Sequence, residues 1–560
     1  MKFLLSILLA WTLAVHSAQA APLPFSAFSK RPKLVLVIVV DQFRADYLVR
    51  FQKRFGQGGY NELISKGAYY PMAHYSVLQS MTGPGHAMIL TGSLPYQNGI
   101  AINLWHQDGK AMYCAEDAAT RIVGLPEAPH EDKLADKPGD KKDVKPSKWH
   151  LAKTGMSSKN LIGDTIGDEL KNAGYPSRVF TVALKDRSAI MLGGHRADLA
   201  LWFDSDAFRW VSSTQYLPGG KLPEWVESLN SAIASKKGET YEWKSAGPAT
   251  GFTLGAEGPF KHATVIGGKE SLSYPFGMEL TVEAAERALK ENGLGRGKST
   301  DILAVSLSSH DYMAHAYGPN VRELEEMTVA EDKLVARLIA TARKQAGAKD
   351  VLVAFTADHG GPPSPRWLKT TPLKSGYIDT EGLTQKVEAR LTEKFGKPAE
   401  GKKWIPFDGD LNLWIDPEVV ADRKTSLDAV EAEAKNVLTE KGGIEGVAHV
   451  FTRADYFARN LPPGLLQKQI LNGYYPGRSG NVILIPKPFY FEEGDPVGHM
   501  TGYAYDRTVP LILMGSRIKP GVYSQDAEVT DLAPTLAFLL GTIPPSLSEG
   551  RVLSEAIGAQ

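Results

Sequence analysis

Six acidic and imidazole side chains, spread over four distant segments, carry the chemistry legible in this chain. Asp311 and His315 stand four apart in SSHDYMAHAYG, and Asp358 and His359 close the run VLVAFTADHGG. His499 follows in VGHMTGYAYD, and Asp41 ends LVLVIVVDQF. A hydroxyl, Thr82, sits in the glycine-rich stretch MTGPGHAMILTG between the first acid and the rest. Carboxylate oxygens and imidazole nitrogens suit zinc. Two such sites with one hydroxyl nucleophile are what metal-assisted phosphoryl transfer needs.

Each residue also has a plainer reading. Asp41 could cap a helix beginning at Gln42. Asp311 and His315 share one helix face by their spacing, a pattern also met in simple surface contacts. Asp358-His359 is more specific, because the two glycines that follow demand a sharp turn and let backbone approach a ligand. Thr82 lies where a loop enters a helix, with Pro84 in the first turn; a capping threonine and a nucleophile occupy the same place there. Any hydroxyl or phosphate at that point faces the positive end of the helix dipole. Lys185 and Arg187 flank Asp186 in TVALKDRSAIML. If the preceding strand runs through them, both point to one side and suit a doubly charged phosphoryl group. The alternative is a surface turn with an Arg–Asp contact.

These residues follow short apolar runs: Leu34 to Val40, Arg178 to Leu184, Asp301 to Leu307 and Val351 to Ala357, with a fifth run at Val509 to Gly515. Continuous β-branched runs mark strands buried on both faces. Between the third and fourth lies a helical pattern that Asn320 can cap, with Glu323 at the capping-box position and Gly347 able to end it. Strand, long helix, strand is a βαβ crossover, so the expected fold is α/β, a mostly parallel central sheet sandwiched by helices. In such sheets, sites form outside the carboxyl ends of the strands. Residues 107–158, 203–295 and 362–490 read as insertions that roof this core.

Bulk properties narrow the function classes. The chain has 560 residues, with 63 Lys+Arg against 63 Asp+Glu. A zero formal charge argues against a dedicated nucleic-acid binder. Residues 1–20 read as a secretory signal peptide, one lysine before a short apolar stretch that ends at Ala18-Gln19-Ala20. The expected mature protein, 21–560, is periplasmic or secreted, a monomer with no stable membrane insertion. The single cysteine, Cys114, has no motif around it and reads as a buried or half-buried bystander rather than a nucleophile.

The segments VVDQFRADYL, TGPGHAMILTG, GIAINLWH, ALKDRSAIM, SSHDYMAHAYGP, TADHGG and GHMTGYAYDRTVPLILMG, in this order, resemble the alkaline phosphatase superfamily. They are most similar to its bacterial threonine-nucleophile (phosphate-irrepressible) alkaline phosphatases. The resemblance implies two Zn2+ ions, one held by Asp311, His315 and His499, the other by Asp41, Asp358 and His359 with Thr82. It implies that Thr82 attacks phosphorus and that Asn103, Lys185 and Arg187 grip phosphoryl oxygens. The substrates it implies are small-molecule phosphate monoesters over a broad range. Diesterase relatives share the metal ligands and the Thr/Asn pair but lack the Lys/Arg pair. A nucleotide pyrophosphatase/phosphodiesterase is therefore the alternative, and Lys185 with Arg187 argues against it. Sulfatase relatives need a modifiable Cys or Ser motif that Thr82-Gly83-Pro84-Gly85-His86 does not match.

Overall fold

The computed structural model describes residues 31–125, 155–247, 259–440 and 444–558. The leader expected over residues 1–20 lies outside the described residues. Ten strands form one sheet: β1 (Leu34–Val40), β2 (Ala68–His74), β3 (Ile122–Val123), β4 (Val179–Ala183), β5 (Leu199–Asp204), β6 (Arg209–Ser213), β7 (Asp301–Leu307), β8 (Val351–Ala357), β9 (Thr508–Met514) and β10 (Gly521–Val522). Their spatial order is β10-β2-β9-β8-β1-β7-β4-β5-β6-β3. The central five, β8-β1-β7-β4-β5, are parallel. β9 joins β8 antiparallel, and β6 joins β5 antiparallel.

Every residue of β1, β7 and β8 is buried, as unbroken β-branched runs require of strands covered on both faces. Helices Pro275–Glu291 and Arg322–Ala346 pack on one another and on β1, β4, β7 and β8. A second group, Thr82–Thr91, Asp186–Gly193 and Leu532–Leu540, packs together and meets the sheet at β4, β5 and β7. The long helix ends at Gly347 with φ 98°, as its sequence implies. Its start differs: Val321, not Asn320, takes the cap position, and no side chain caps it. The capping box fails because Glu323 turns away to His262 Nε2 at 3.0 Å.

The stretch 203–295 supplies β6 and the helix Pro275–Glu291 to the core layers themselves. Within 362–490, strands Phe407–Gly409, Asn412–Trp414, Val447–Thr452 and Val482–Pro486 make a separate antiparallel sheet. Its own apolar core includes Leu383, Val387 and Leu391 of one helix and Val430, Ala434 and Leu438 of another. Among the described residues no helix is long and apolar enough to cross a membrane.

Candidate active site

The carboxyl ends of β1, β7, β8 and β4 are adjacent, and each carries a polar group. Asp41 follows β1, Asp311 opens the helix Ser309–Tyr317 after β7, Asp358 and His359 follow β8, and Lys185 follows β4. Asp41 does not cap a helix: Gln42 takes φ 61°, a left-handed turn, and the next helix starts only at Tyr47. That turn carries the Gln42 amide to Asp358 Oδ1, to which it donates at 3.1 Å. His315, one helical turn after Asp311, sets Nε2 3.3 Å from Asp311 Oδ1.

Two overlapping groups result. One ligand atom each from Asp311, His315 and His499 lies within 4.8 Å of the others, and the same holds for Asp41, Asp311 and His359. Asp358 borders the second group, with Oδ2 3.6 Å from His359 Nε2, while Asp41 Oδ1 lies 3.5 Å from the same nitrogen. The rings of His359 and His499 stack with centroids 3.9 Å apart.

The donor chemistry fits metal ions. The Nδ1 atoms of His315, His359 and His499 lie 2.8, 2.9 and 2.8 Å from the carbonyl oxygens of Val497, Gly360 and Ser80. A carbonyl only accepts, so Nδ1 carries the proton and each Nε2 keeps its lone pair, as metal-binding imidazoles require. Asp41 Oδ1, Asp358 Oδ2 and His359 Nε2 are buried without a hydrogen-bond partner. Asp41, Asp311 and Asp358 are each at most 2% exposed, and one ammonium, Lys185, sits among them. Three buried carboxylates facing one cation leave uncompensated negative charge, which a protein interior tolerates only when paired or coordinated.

The titration behaviour follows from this crowding. Burial, then Asp311 and Asp358, push the Asp41 carboxyl well above its usual value. Burial opposes ionisation of Asp311 too, but the Lys185 ammonium outweighs it and holds that carboxyl well below the usual range. Burial and the neighbouring imidazoles keep His499 well below a normal histidine, so it stays neutral and able to ligate.

Thr82 begins the helix Thr82–Thr91, and the extended residue Met81 is the cap, so Thr82 is not the N-cap. Its hydroxyl lies 3.4 Å from Lys185 Nζ, at the positive end of the helix. Asn103 Oδ1 accepts the Gly83 amide at 2.8 Å, which fixes the carboxamide. Close packing explains the glycines here: a Cβ on Gly83 would lie 2.7 Å from Asn103 Oδ1, and one on Gly85 would fall on the Asp358 carbonyl.

Lys185 and Arg187 do not share a strand face. β4 ends at Ala183, Lys185 is the extended cap residue of the helix Asp186–Gly193, and Arg187 lies in its first turn. The helix starts so early because Asp186 occupies its first position, where an acid complements the dipole. Lys185 Nζ contacts Asp41 Oδ2 at 2.7 Å and Asp311 Oδ2 at 2.6 Å. Arg187 Nη1 donates to the Tyr113 hydroxyl at 3.2 Å, and Tyr113 donates to Asp186 Oδ1 at 2.5 Å.

Several supporting residues carry no strong sequence signal. His86, four after Thr82, is fully buried; its Nδ1 donates to Thr82 O at 2.8 Å, with Asp358 Oδ2 off that line at 3.1 Å. Its Nε2 meets Ser306 Oγ at 2.8 Å. Asp506 Oδ2 accepts from Thr501 N and Oγ1, and its carbonyl accepts from Gly360 N. It thus ties the loop of His499 to the turn after His359, a link between distant segments that no local pattern reveals. Cys114 is buried, and burial pushes its thiol up to about 12, which leaves it unreactive.

The type I phosphodiesterase / nucleotide pyrophosphatase family profile matches residues 35–503. The chain is 30% identical to alkaline phosphatase PafA of Elizabethkingia meningoseptica, over 94% of this chain and 95% of that protein. It is 31% identical to alkaline phosphatase PhoV of Synechococcus elongatus, over 96% of each. The crystal structure of wild-type alkaline phosphatase PafA superposes with a TM-score of 0.81 at 29% identity, covering 94% of this chain and 99% of that one. The chain belongs to the type I phosphodiesterase / nucleotide pyrophosphatase family and is a member of the alkaline phosphatase superfamily resembling the PafA-type enzymes.

Proposed function

We propose that this protein is an exported, zinc-dependent alkaline phosphatase of broad substrate range, acting through a phosphothreonine. Four relatives matched over nearly their full length are alkaline phosphatases, and the chain is a phosphoric monoester hydrolase. The observation that carries the finer reading is the convergence of three buried carboxylates and three Nε2 lone pairs beside a helix-terminal threonine and a lysine.

In this reading Asp311, His315 and His499 hold one zinc ion, and Asp41, Asp358 and His359, with Thr82, hold the other. Bound zinc supplies Lewis acidity, lowering the pKa of a hydroxyl and neutralising phosphoryl charge. Thr82 Oγ gives its proton to solvent and attacks phosphorus, the ester P–O bond breaks, and the leaving oxygen departs with its electron pair and takes a proton from solvent. Water then attacks the phosphothreonine, releases inorganic phosphate and restores the hydroxyl. Lys185 and Arg187 balance the phosphoryl charge, and the Asn103 amide, its oxygen held by Gly83, donates its N–H.

The family profile also describes phosphodiesterases, so diester hydrolysis is the second reading. The ammonium of Lys185 beside Thr82, with Arg187 two residues further on, favours the dianionic monoester, since a diester carries one charge fewer. The test is acid-quenched turnover of a radiolabelled monoester followed by peptide mapping. Label on Thr82, absent in Thr82→Ala along with turnover, supports the reading. Undiminished turnover by Thr82→Ala contradicts it.

A further inference from the structure

The sheet order that places Lys185 beside Asp311 continues to β5, whose end carries Trp202, Phe203 and Asp204. There a cavity of about 460 Å³ opens at the same edge of the sheet. Both Lys185 and Arg187 form part of its wall, whereas Thr82 and the six acids and imidazoles do not. The cavity therefore adjoins both cations without reaching Thr82 or those six side chains. In-line attack by Thr82 sends the leaving oxygen away from the nucleophile.

The rest of the wall is mainly apolar. Tyr113, Trp202, Phe203 and Tyr312 supply rings, and Met156 and Leu272 supply aliphatic surface. Tyr312 directly follows Asp311, and its ring centroid lies 5.2 Å from Lys185 Nζ. The other charges in the wall are already engaged. Asp186 accepts from the Tyr113 hydroxyl, Asp204 accepts from the amides of Asp206 and Ala207, and Lys269 pairs with Asp206 at 3.0 Å. The cavity thus offers flat apolar surface beyond two cations, and its volume suits a small ligand.

We propose that this cavity is the leaving-group pocket and that it selects phosphate monoesters of alcohols carrying a planar aromatic ring. The inference rests on the monoesterase reading above and adds the substrate class. Burying one ring against such walls is worth at least tenfold in kcat/KM, or about 1.4 kcal/mol.

The test compares benzyl phosphate with glycerol 3-phosphate on the zinc-loaded enzyme. Both are primary alkyl esters, so intrinsic leaving-group reactivity differs little. We expect kcat/KM at least tenfold higher for benzyl phosphate, and we expect Ser273→Trp, which fills the cavity, to bring the ratio towards one. Because that variant risks misfolding, competitive inhibition of the unmodified enzyme gives a second reading. Benzylphosphonate should inhibit at least tenfold more tightly than methylphosphonate. Equal kcat/KM for the two esters, or equal inhibition by the two phosphonates, overturns the pocket while leaving the phosphatase reading intact. Hydrolysis of neither ester overturns both.

Discussion

Replacing Lys185 by alanine should lower monoester hydrolysis far more than diester hydrolysis. The Lys185 ammonium lies 3.4 Å from Thr82 Oγ1, in a site where the lysine is 6% exposed. Oxygens of a phosphoryl group attacked there lie roughly 3 to 4 Å from the ammonium, at charge-assisted hydrogen-bond range. At about 4 Å and an effective dielectric near 20, one pair of unit charges interacts by about 4 kcal/mol. A monoester dianion carries one more charge than a diester, so the gross difference is also about 4 kcal/mol. Metal ions and entering water compensate part of this; halving it leaves about 2 kcal/mol, a factor of roughly 30. The assay is kcat/KM for p-nitrophenyl phosphate and bis-p-nitrophenyl phosphate on wild type and Lys185→Ala. Zinc content and melting temperature are checked in parallel, since the lysine also bridges Asp41 and Asp311. An equal loss on both substrates, with zinc retained, refutes the charge argument.

Other outcomes follow from the same geometry. Gly85→Ala should cost about 1–3 kcal/mol of stability by overpacking against the Asp358 carbonyl, and about a hundredfold in activity through displacement of Asp358; a denaturant melt and a rate assay check both. Burial pushes the Asp506 carboxyl up to about 8 from its usual 3.8, so between these values the folded state binds more protons than the unfolded one. Stability contributed by this group therefore falls as pH rises from about 4 to about 8, by a few kcal/mol. Asp506→Asn, which keeps an acceptor for Thr501, should flatten that slope in melts across the range. Cys114, with its thiol at about 12, should leave activity intact after iodoacetamide treatment at pH 8.

What local sequence reveals here is what local physics determines. Apolar runs such as Leu34–Val40 and Val351–Ala357 mark central strands because burial on both faces admits few polar residues. The acids and imidazoles are legible because they interrupt those runs at their carboxyl ends. What escapes is set by distant backbone. The carbonyls of Ser80 and Val497 choose the tautomers of His499 and His315, and nothing in their own residues signals it. Lys185 reads as strand because TVAL precedes it, yet Asp186 starts a helix one residue later. Asn320 loses the capping role because Glu323 finds His262, a residue some sixty positions away, and no box forms. The stretch 362–490 reads as an insertion over the core, and its own apolar core escapes notice because helices and strands far apart in sequence, some strands only three residues long, assemble it.

The most direct test of two-metal monoester chemistry is hydrolysis of p-nitrophenyl phosphate beside bis-p-nitrophenyl phosphate, after chelation and after zinc is added back. The account predicts that activity is lost on chelation, returns with two zinc ions per chain, and strongly favours the monoester. Monoester turnover that survives complete removal of metal, or a preference for the diester after zinc returns, contradicts it.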